Sequence, residues 1–473
     1  MPFKDGAWFP ALTDHAIRPH SLAFSTRDPD REWPEALRHA AGSLPPGDPL
    51  AHIFYEERDD LRVEMGRGRA PEVVRTRLRG LRVRRGGPRP VALFLAASEP
   101  SEAVALVRRL MEGGGDGRTP FSGRRPRQEI SEETKGVVGL LEGIRTRLER
   151  PGEGPRISVE ARWVAFRQRI HVATPDRVVQ TDQRVGSRVR LEARVEGPSG
   201  VVARAVGERV LRLVGEDLGL DELADGVARR ARERTASRAP VRGETPVVFA
   251  PGVGGILIHE LVGHALEADT VLRGASVLAR QRADVAPPEV TVLDDPRRGR
   301  GGWKLDDEGS VSRATSLLER GKVAGWLHDR FTSRRAGREP TGHGRRSSFR
   351  EPVRPRMGCT FLKAGRLAAE EVVSETRQGI YIRRMEAAST DSFSGIATFR
   401  VTDADRIDQG RLGSPLDSFL LRVNTLPALS GLDLVGDDLR FDTCVGSCLR
   451  DGQPLATSVG APTYRIEVAR VVV

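Results

Sequence analysis

The residues with the most chemical content lie in one short run, Ile256-Leu257-Ile258-His259-Glu260-Leu261-Val262-Gly263-His264-Ala265-Leu266-Glu267. Two imidazoles and a carboxylate in such proximity are the parts of a metal hydrolase. Zinc takes neutral imidazole or thiolate donors, and a catalytic site uses three protein donors while keeping a fourth position for water. The ion brings the pKa of that water to about 7, and a neighbouring carboxylate removes its proton. Glu260, next to His259, is the candidate base, as in the His-Glu-x-x-His arrangement. Here the spacing is one longer, because Leu261, Val262 and Gly263 all separate Glu260 from His264. In a regular α-helix five residues turn about 500°, which leaves the two imidazoles roughly 140° apart around the axis. A shared ion therefore requires local unwinding or a π-bulge, a defect that moves side chains by one position and is frequent at functional sites. Gly263 offers the backbone freedom for it. On spacing alone, two separately buried helical histidines are an equal reading.

The elements that must position this run are legible around it. Residues 247–250 read as a short strand, followed by a Pro-Gly-Val-Gly-Gly turn and a helix over about 256–269. Beyond it, frequent Gly and Pro punctuate short apolar runs, and the chain ends on a strand-like stretch over 464–473. Upstream, 91–97 reads as a buried strand, and Ser101 and Ser131 are candidate caps of helices. In the second of these, Val137, Leu140, Leu141 and Ile144 face inward. Residues 113–128 read as a Gly/Pro/Arg loop. Residues 187–196 alternate Val189, Leu191, Ala193 and Val195 against Arg188, Arg190, Glu192 and Arg194, the pattern of an antiparallel strand with one wet face. Leu220, Leu223, Ala224, Val227, Ala228 and Ala231 mark a helix ending near Arg234, and the Pro- and Gly-containing stretch 235–244 reads as a linker. The expectation is an α+β protein in three parts. An irregular extension spans 1–45, a mixed α/β domain 46–240, and a β-rich domain carrying the histidine helix 241–473.

Composition narrows the function classes. A chain of 473 residues with 38% hydrophobic and 30% charged residues can build a substantial core. The net charge of +11 invites a nucleic-acid reading. However, the basic residues are scattered arginines interleaved with acids, and aromatic residues amount to only 5%, too few for stacking platforms. We therefore expect no nucleic-acid partner. Three cysteines make no disulfide framework. With no apolar leader and no apolar run near membrane-spanning length, the expected setting is cytoplasmic, with no membrane partner.

A series of further motifs adds a resemblance. Residues 247–269 resemble the metal-binding helix of the TldD/PmbA family of metallopeptidases, whose His-Glu-x-x-x-His motif is followed by Leu-Glu-x-Asp, here Leu266-Glu267-Ala268-Asp269. Asp306-Asp307-Glu308-Gly309, Gly325-Trp326-Leu327-His328-Asp329-Arg330 and Glu339-Pro340-Thr341-Gly342-His343-Gly344-Arg345-Arg346 follow in the family's order. So do Pro355-Arg356-Met357, Gly379-Ile380-Tyr381-Ile382, and Gly446-Ser447-Cys448 with Asp451-Gly452-Gln453. The likeness is dense over 245–473, faint over 50–235 and absent over 1–45. It implies a zinc peptidase acting on short or unfolded peptides, in some members on a modified peptide precursor. It also implies a dimer, either a homodimer or a heterodimer with a PmbA-like paralogue that lacks the motif. By the same resemblance the metal ligands are His259, His264 and Cys448, with Glu260 the catalytic base. This chain departs from the pattern at Leu449, where the family has Gly, and at Cys359, where it has Asn.

Several alternatives stand beside that reading. Cys444 could replace Cys448 as ligand, Cys448 could be a nucleophile, or the chain could be a non-catalytic peptide-binding subunit. Glu267 and Asp269 could orient the histidines or cap a solvated helix end. His328 could stabilise an oxyanion or serve a structural hydrogen bond. Arg345-Arg346 could grip a peptide carboxylate or form a solvated run.

Overall fold

The computed structural model describes residues 32–66, 69–85, 91–95, 104–105, 107–108, 132–149, 155–197, 200, 202–211, 219–240, 242–299, 301–441 and 447–472. It is α+β, with a mixed N-terminal part and a β-rich C-terminal part that holds the histidine helix.

The N-terminal part is one antiparallel sheet of β1 (His52–Met65), β2 (Glu72–Arg85), β3 (Val91–Leu95), β4 (Ile157–Ala173), β5 (Val179–Glu196) and β6 (Val202–Leu211), in the order β3-β2-β1-β4-β5-β6. Period-2 patterning explains the clearest strand. Val189, Leu191, Ala193 and Val195 are all fully buried, and the intervening charged residues of β5 are half-buried. The second face is therefore less wet than expected, with Arg190 bonded to Glu208 at 3.0 Å. Helices α2 (Glu132–Leu148) and α3 (Leu220–Glu233) cover the sheet with Val137, Leu141, Ile144, Ala224, Val227 and Ala231. Of the strand expected over 91–97, Val91–Leu95 pairs with β2 and with no other strand among the described residues, and 96–97 lie outside them. Of the helix expected after Ser101, residues 104–105 and 107–108 are helical; the remainder and the 113–128 loop lie outside the described residues.

Residues 1–45 are not irregular throughout. Helix α1 (Glu32–Ala41) buries Trp33, Leu37, Ala40 and Ala41, and Trp33 stacks on Tyr55 at 3.9 Å between ring centroids. Its apolar stripe has only two large residues, too thin a signal against a Pro- and Arg-rich background.

The C-terminal part closes on itself. Strand Gly243–Phe249 pairs with Gln378–Asp391 on one side and Tyr464–Val472 on the other. Tyr464–Val472 leads to Phe419–Asn424, then Ile396–Asp408, which returns to Gln378–Asp391. This five-membered ring is a small barrel, which removes sheet edges. A second sheet runs through Val292–Asp294, Cys359–Leu362 and Ser458–Ala461. The histidine helix packs between the two, with Leu257, Ile258, Leu261, Val262 and Leu266 in one core with Phe249, Ile382 and Tyr464. It is not the single helix of this half. Ala268–Leu272, Arg330–Ala336, Ala369–Ser374 and Thr425–Ser430 are short helices, each below the length at which a 3.6-residue period can be read.

Buried charge joins the two parts. Asp307 accepts from Arg184 of β5 at 2.6 Å, and Glu308 accepts from Arg84 of β2 at 2.7 Å. Among the described residues no helix is long and apolar enough to cross a membrane.

Candidate metal centre

The run carrying both histidines changes its winding at the place the spacing demanded. An α-helical turn, Gly255–Ile258, passes into a π-helical turn, His259–Gly263, and then a 3-10 turn, His264–Leu266. His264 donates its backbone N–H to the carbonyl of His259, five residues back. One extra residue in the turn carries i and i+5 to the same side, as i and i+4 are in an α-helix. The imidazole centroids are 5.1 Å apart with planes at 84°. Gly263 serves a different purpose from the one expected. Its φ of −57° and ψ of −60° suit any residue, but a Cβ there would sit 1.9 Å from Met357 Sδ. The glycine admits a neighbour rather than an unusual backbone.

The third donor arrives on a hairpin, Ser447–Arg450 with Gln453–Ala456. Asp451 and Gly452 both have positive φ, 49° and 77°, the signature of a tight two-residue turn that favours Asp-Gly. The hairpin sets Cys448 Sγ 3.3 Å from His264 Nε2, across 184 residues of sequence. One donor atom from each of His259, His264 and Cys448 lies within 4.8 Å of the others. Leu449, the departure from the family's glycine, projects into solvent at 68% exposure and is absent from the positive-φ residues, so its side chain fits there without strain.

Acidic groups flank the three donors on two sides. Glu260 Oε2 stands 3.9 Å from His264 Nε2 and accepts a 2.6 Å hydrogen bond from Thr390 Oγ1. Glu267 is fully buried, and its Oε2 lies 3.0 Å from His264 Nδ1 and 2.6 Å from Arg450 Nη1. With an ion bound, Glu267 would keep a proton on His264 Nδ1 and leave Nε2 for the cluster. Burial opposes charge on His264, but Cys448 and Glu267 outweigh it and hold the imidazole well above its ordinary pKa. Burial likewise pushes the Cys448 thiol up, while His264 and His259 hold it well below the usual thiol value. The sulfur is thus poised as thiolate, the form that binds metal.

These residues fit a divalent ion. A nitrogen at about 2.0 Å and a sulfur at about 2.3 Å in a tetrahedral shell stand about 3.5 Å apart, close to the 3.3 Å between Cys448 Sγ and His264 Nε2. His259 Nδ1 is buried without a hydrogen-bond partner among the described residues, a costly state for a polar atom that has no function.

The other residues singled out from sequence go elsewhere. Asp269 accepts from Arg450 at 2.8 Å and is not solvated as a bare helix end would be. His328 bonds through its backbone and ring to Thr341 and Thr332, and burial takes its pKa down to about 4. Arg345 and Arg346 are neither a solvated run nor a carboxylate grip. Both are buried, lying over the rings of Trp303 and Phe54 and bonded to Asp307. Cys359 is buried in its strand, and Cys444 lies outside the described residues.

Residues 242–472 match the model of the PmbA/TldA metallopeptidase C-terminal domain. The C-terminal half of the chain thus belongs to the TldD/PmbA family. Among its relatives, a metalloprotease from Methanothermobacter thermautotrophicus is 33% identical over 53% of this chain and 55% of its own length. A metalloprotease TldD homolog from Buchnera aphidicola is 29% identical over 53% of each. The chain spans about half the length of these curated relatives. In fold it resembles TldE from Thermococcus kodakarensis, with a TM-score of 0.71, 16% identity, and coverage of 93% of this chain and 100% of that one.

Three residues around the candidate site carry no chemical mark of their own in the sequence. Thr390 lies near the end of a barrel strand with no local motif around it. Arg356 was visible only within the Pro355-Arg356-Met357 match, and Arg450 only as the residue before Asp451. Their roles depend on contacts to residues more than ninety positions away.

Proposed function

We propose that this chain is a zinc-dependent peptidase that hydrolyses short or unfolded peptides, including the maturation of a modified peptide precursor. Support comes from one arrangement: three donors of zinc's preferred chemistry converge within 4.8 Å, with the Glu260 carboxylate beside them. When bound by His259, His264 and Cys448, zinc supplies Lewis acidity and an open fourth position. Glu260 takes the proton of the attacking water and returns it to the leaving amine. Thr390 holds Glu260 Oε2, the oxygen beside His264 Nε2, and so fixes the direction of the carboxylate toward the donors. Glu267 keeps His264 in the tautomer that presents Nε2.

The proposal extends to setting and assembly. A homodimer, or a heterodimer with a PmbA-like paralogue, agrees with the likeness in fold to TldE. A reducing cytoplasm suits a site that depends on a free thiolate.

Glu260→Gln tests the reading. The variant should keep stoichiometric zinc and lose cleavage of an unstructured peptide by about 10²–10⁴-fold, the range for removing a general base. Full activity in this variant overturns the assignment of the base. Cleavage by the wild-type protein that survives exhaustive chelation overturns the metal reading in favour of a Cys448 nucleophile.

A further inference from the structure

The Cys448 hairpin pairs with no other strand among the described residues. Ser447–Arg450 and Gln453–Ala456 bond only to each other. An isolated two-stranded hairpin is marginal in water, yet this one must hold a sulfur to a few tenths of an ångström against a helix from 184 residues earlier. Something outside its own ladder has to dock it.

Two arginines do so, and both reach the carboxylate that orients His264. Arg450, on the hairpin, donates from Nη1 to Glu267 Oε2 at 2.6 Å. Its Nη2 donates to Asp269 Oδ2 at 2.8 Å and Thr270 Oγ1 at 3.1 Å. Arg356 approaches from the other side. Its Nη2 donates to the Cys448 carbonyl at 2.7 Å and its Nη1 to the Gln453 carbonyl at 3.1 Å. Its Nε faces Glu267 Oε1 at 3.8 Å. Glu267 is fully buried and Arg356 is 1% exposed, so these contacts are shielded from water and from salt. A guanidinium spans two acceptors in a fixed fork, which an ammonium cannot do.

We propose that Arg450, seconded by Arg356, is the positioning residue that assembles the metal centre. It locks the Cys448 hairpin onto the helix end through Glu267, so that the thiolate and the His264 imidazole are set by one shared carboxylate. The inference rests on the metal reading above and deepens it. Neither arginine is one of the three donors.

The test reads metal binding rather than turnover. Zinc affinity is measured by chelator competition on the full chain, and thiolate ligation by the sulfur-to-cobalt charge-transfer band of the cobalt-substituted protein. Arg450→Met should weaken zinc by about 10–100-fold, the cost of losing an outer partner of a metal ligand. It should also diminish the charge-transfer band while the imidazole ligands still hold cobalt. Arg450→Lys should fail to restore either, and Asp269→Asn, which removes one arm of the fork, should fall between. If Arg450→Met does not fold, Asp269→Asn alone must still weaken zinc and the band. Wild-type zinc affinity together with an unchanged band in the folded variants overturns the proposal. A wild-type protein that binds neither metal overturns the metal reading itself, and this inference with it.

Discussion

Two buried clusters of ionisable residues sit in this chain, and both were quoted from sequence as motifs of the same family. In the Asp306-Asp307-Glu308-Gly309 turn every carboxylate is satisfied by what surrounds it. Asp306 accepts from the backbone N–H groups of Glu308, Ser310 and Gly344. Asp307 accepts from Arg184, Arg345 and the Arg346 backbone, and Glu308 from Arg84 and the Arg330 backbone. In the histidine cluster the donors face one another instead, Cys448 toward His264, with His259 Nδ1 left unpartnered. The turn is architecture joining two halves of the molecule. The histidine cluster gathers three possible metal donors within 4.8 Å of one another. Motif density does not separate the two roles; the direction in which the polar atoms are satisfied does.

Substitutions should pull the two clusters apart. The largest effect on stability is expected at Asp307→Ala, which takes the nearest carboxylate from both Arg184, 1% exposed, and Arg345. Removing one partner of a buried pair costs about 3–5 kcal/mol, so urea unfolding should show a loss of that size. The folded fraction should still bind stoichiometric zinc. A folded Asp307→Ala protein without metal would break the comparison and make the turn part of the site. A smaller and different effect is expected at Glu267→Gln, which keeps the shape but weakens the hold on His264 Nδ1 and Arg450. Zinc affinity should drop about 10–100-fold, or 1.4–2.8 kcal/mol, measured by chelator competition. Unchanged affinity would place Glu267 with the turn rather than with the metal centre.

Much of this division was legible before the structure, for specific reasons. The extra residue between His259 and His264 could serve one ion only if the helix unwound locally, and a π turn stands there. The alternation of Val189 through Val195 gave a strand because side-chain burial follows period two. The family's order of motifs pointed to Cys448, which no spacing could have joined to His264. What stayed hidden was contact without periodicity. Thr390 reaches Glu260 because two barrel strands and a helix happen to meet there, and a threonine on a strand carries no sign of its partner. The Arg345-Arg346 pair read as surface, since arginine is seldom buried. Only the opposing Trp303 and Phe54 rings and Asp307 explain why it is. Helix α1 was missed because two large apolar residues in ten make a faint stripe.

The subtlest difference between the two clusters is in their histidines. His52, on β1, packs against the turn's arginines, with its Nε2 3.1 Å from Arg346 Nη2 and its Nδ1 3.1 Å from the Leu50 carbonyl. Burial, and then the charges of Arg346, Arg84 and Arg330, press its pKa well below the ordinary 6.5. A depressed folded pKa means that the unfolded chain takes a proton the folded chain refuses. The contribution of His52 is therefore complete above about pH 6.5 and is lost as pH falls toward its folded value. His264 has the opposite sign, because Cys448 and Glu267 outweigh burial and hold its proton, so acid alone does not expel it from the fold. Unfolding of the metal-free wild-type protein should accordingly become easier between pH 6.5 and 5 by more than that of His52→Gln. Glutamine can still accept from Arg346 and donate to Leu50 but cannot be protonated in this range. The difference in slope should be bounded by one proton, about 1.4 kcal/mol per pH unit. Parallel pH profiles for the two proteins would mean that His52 titrates as freely as in the unfolded chain, and that the junction at the turn is open to water.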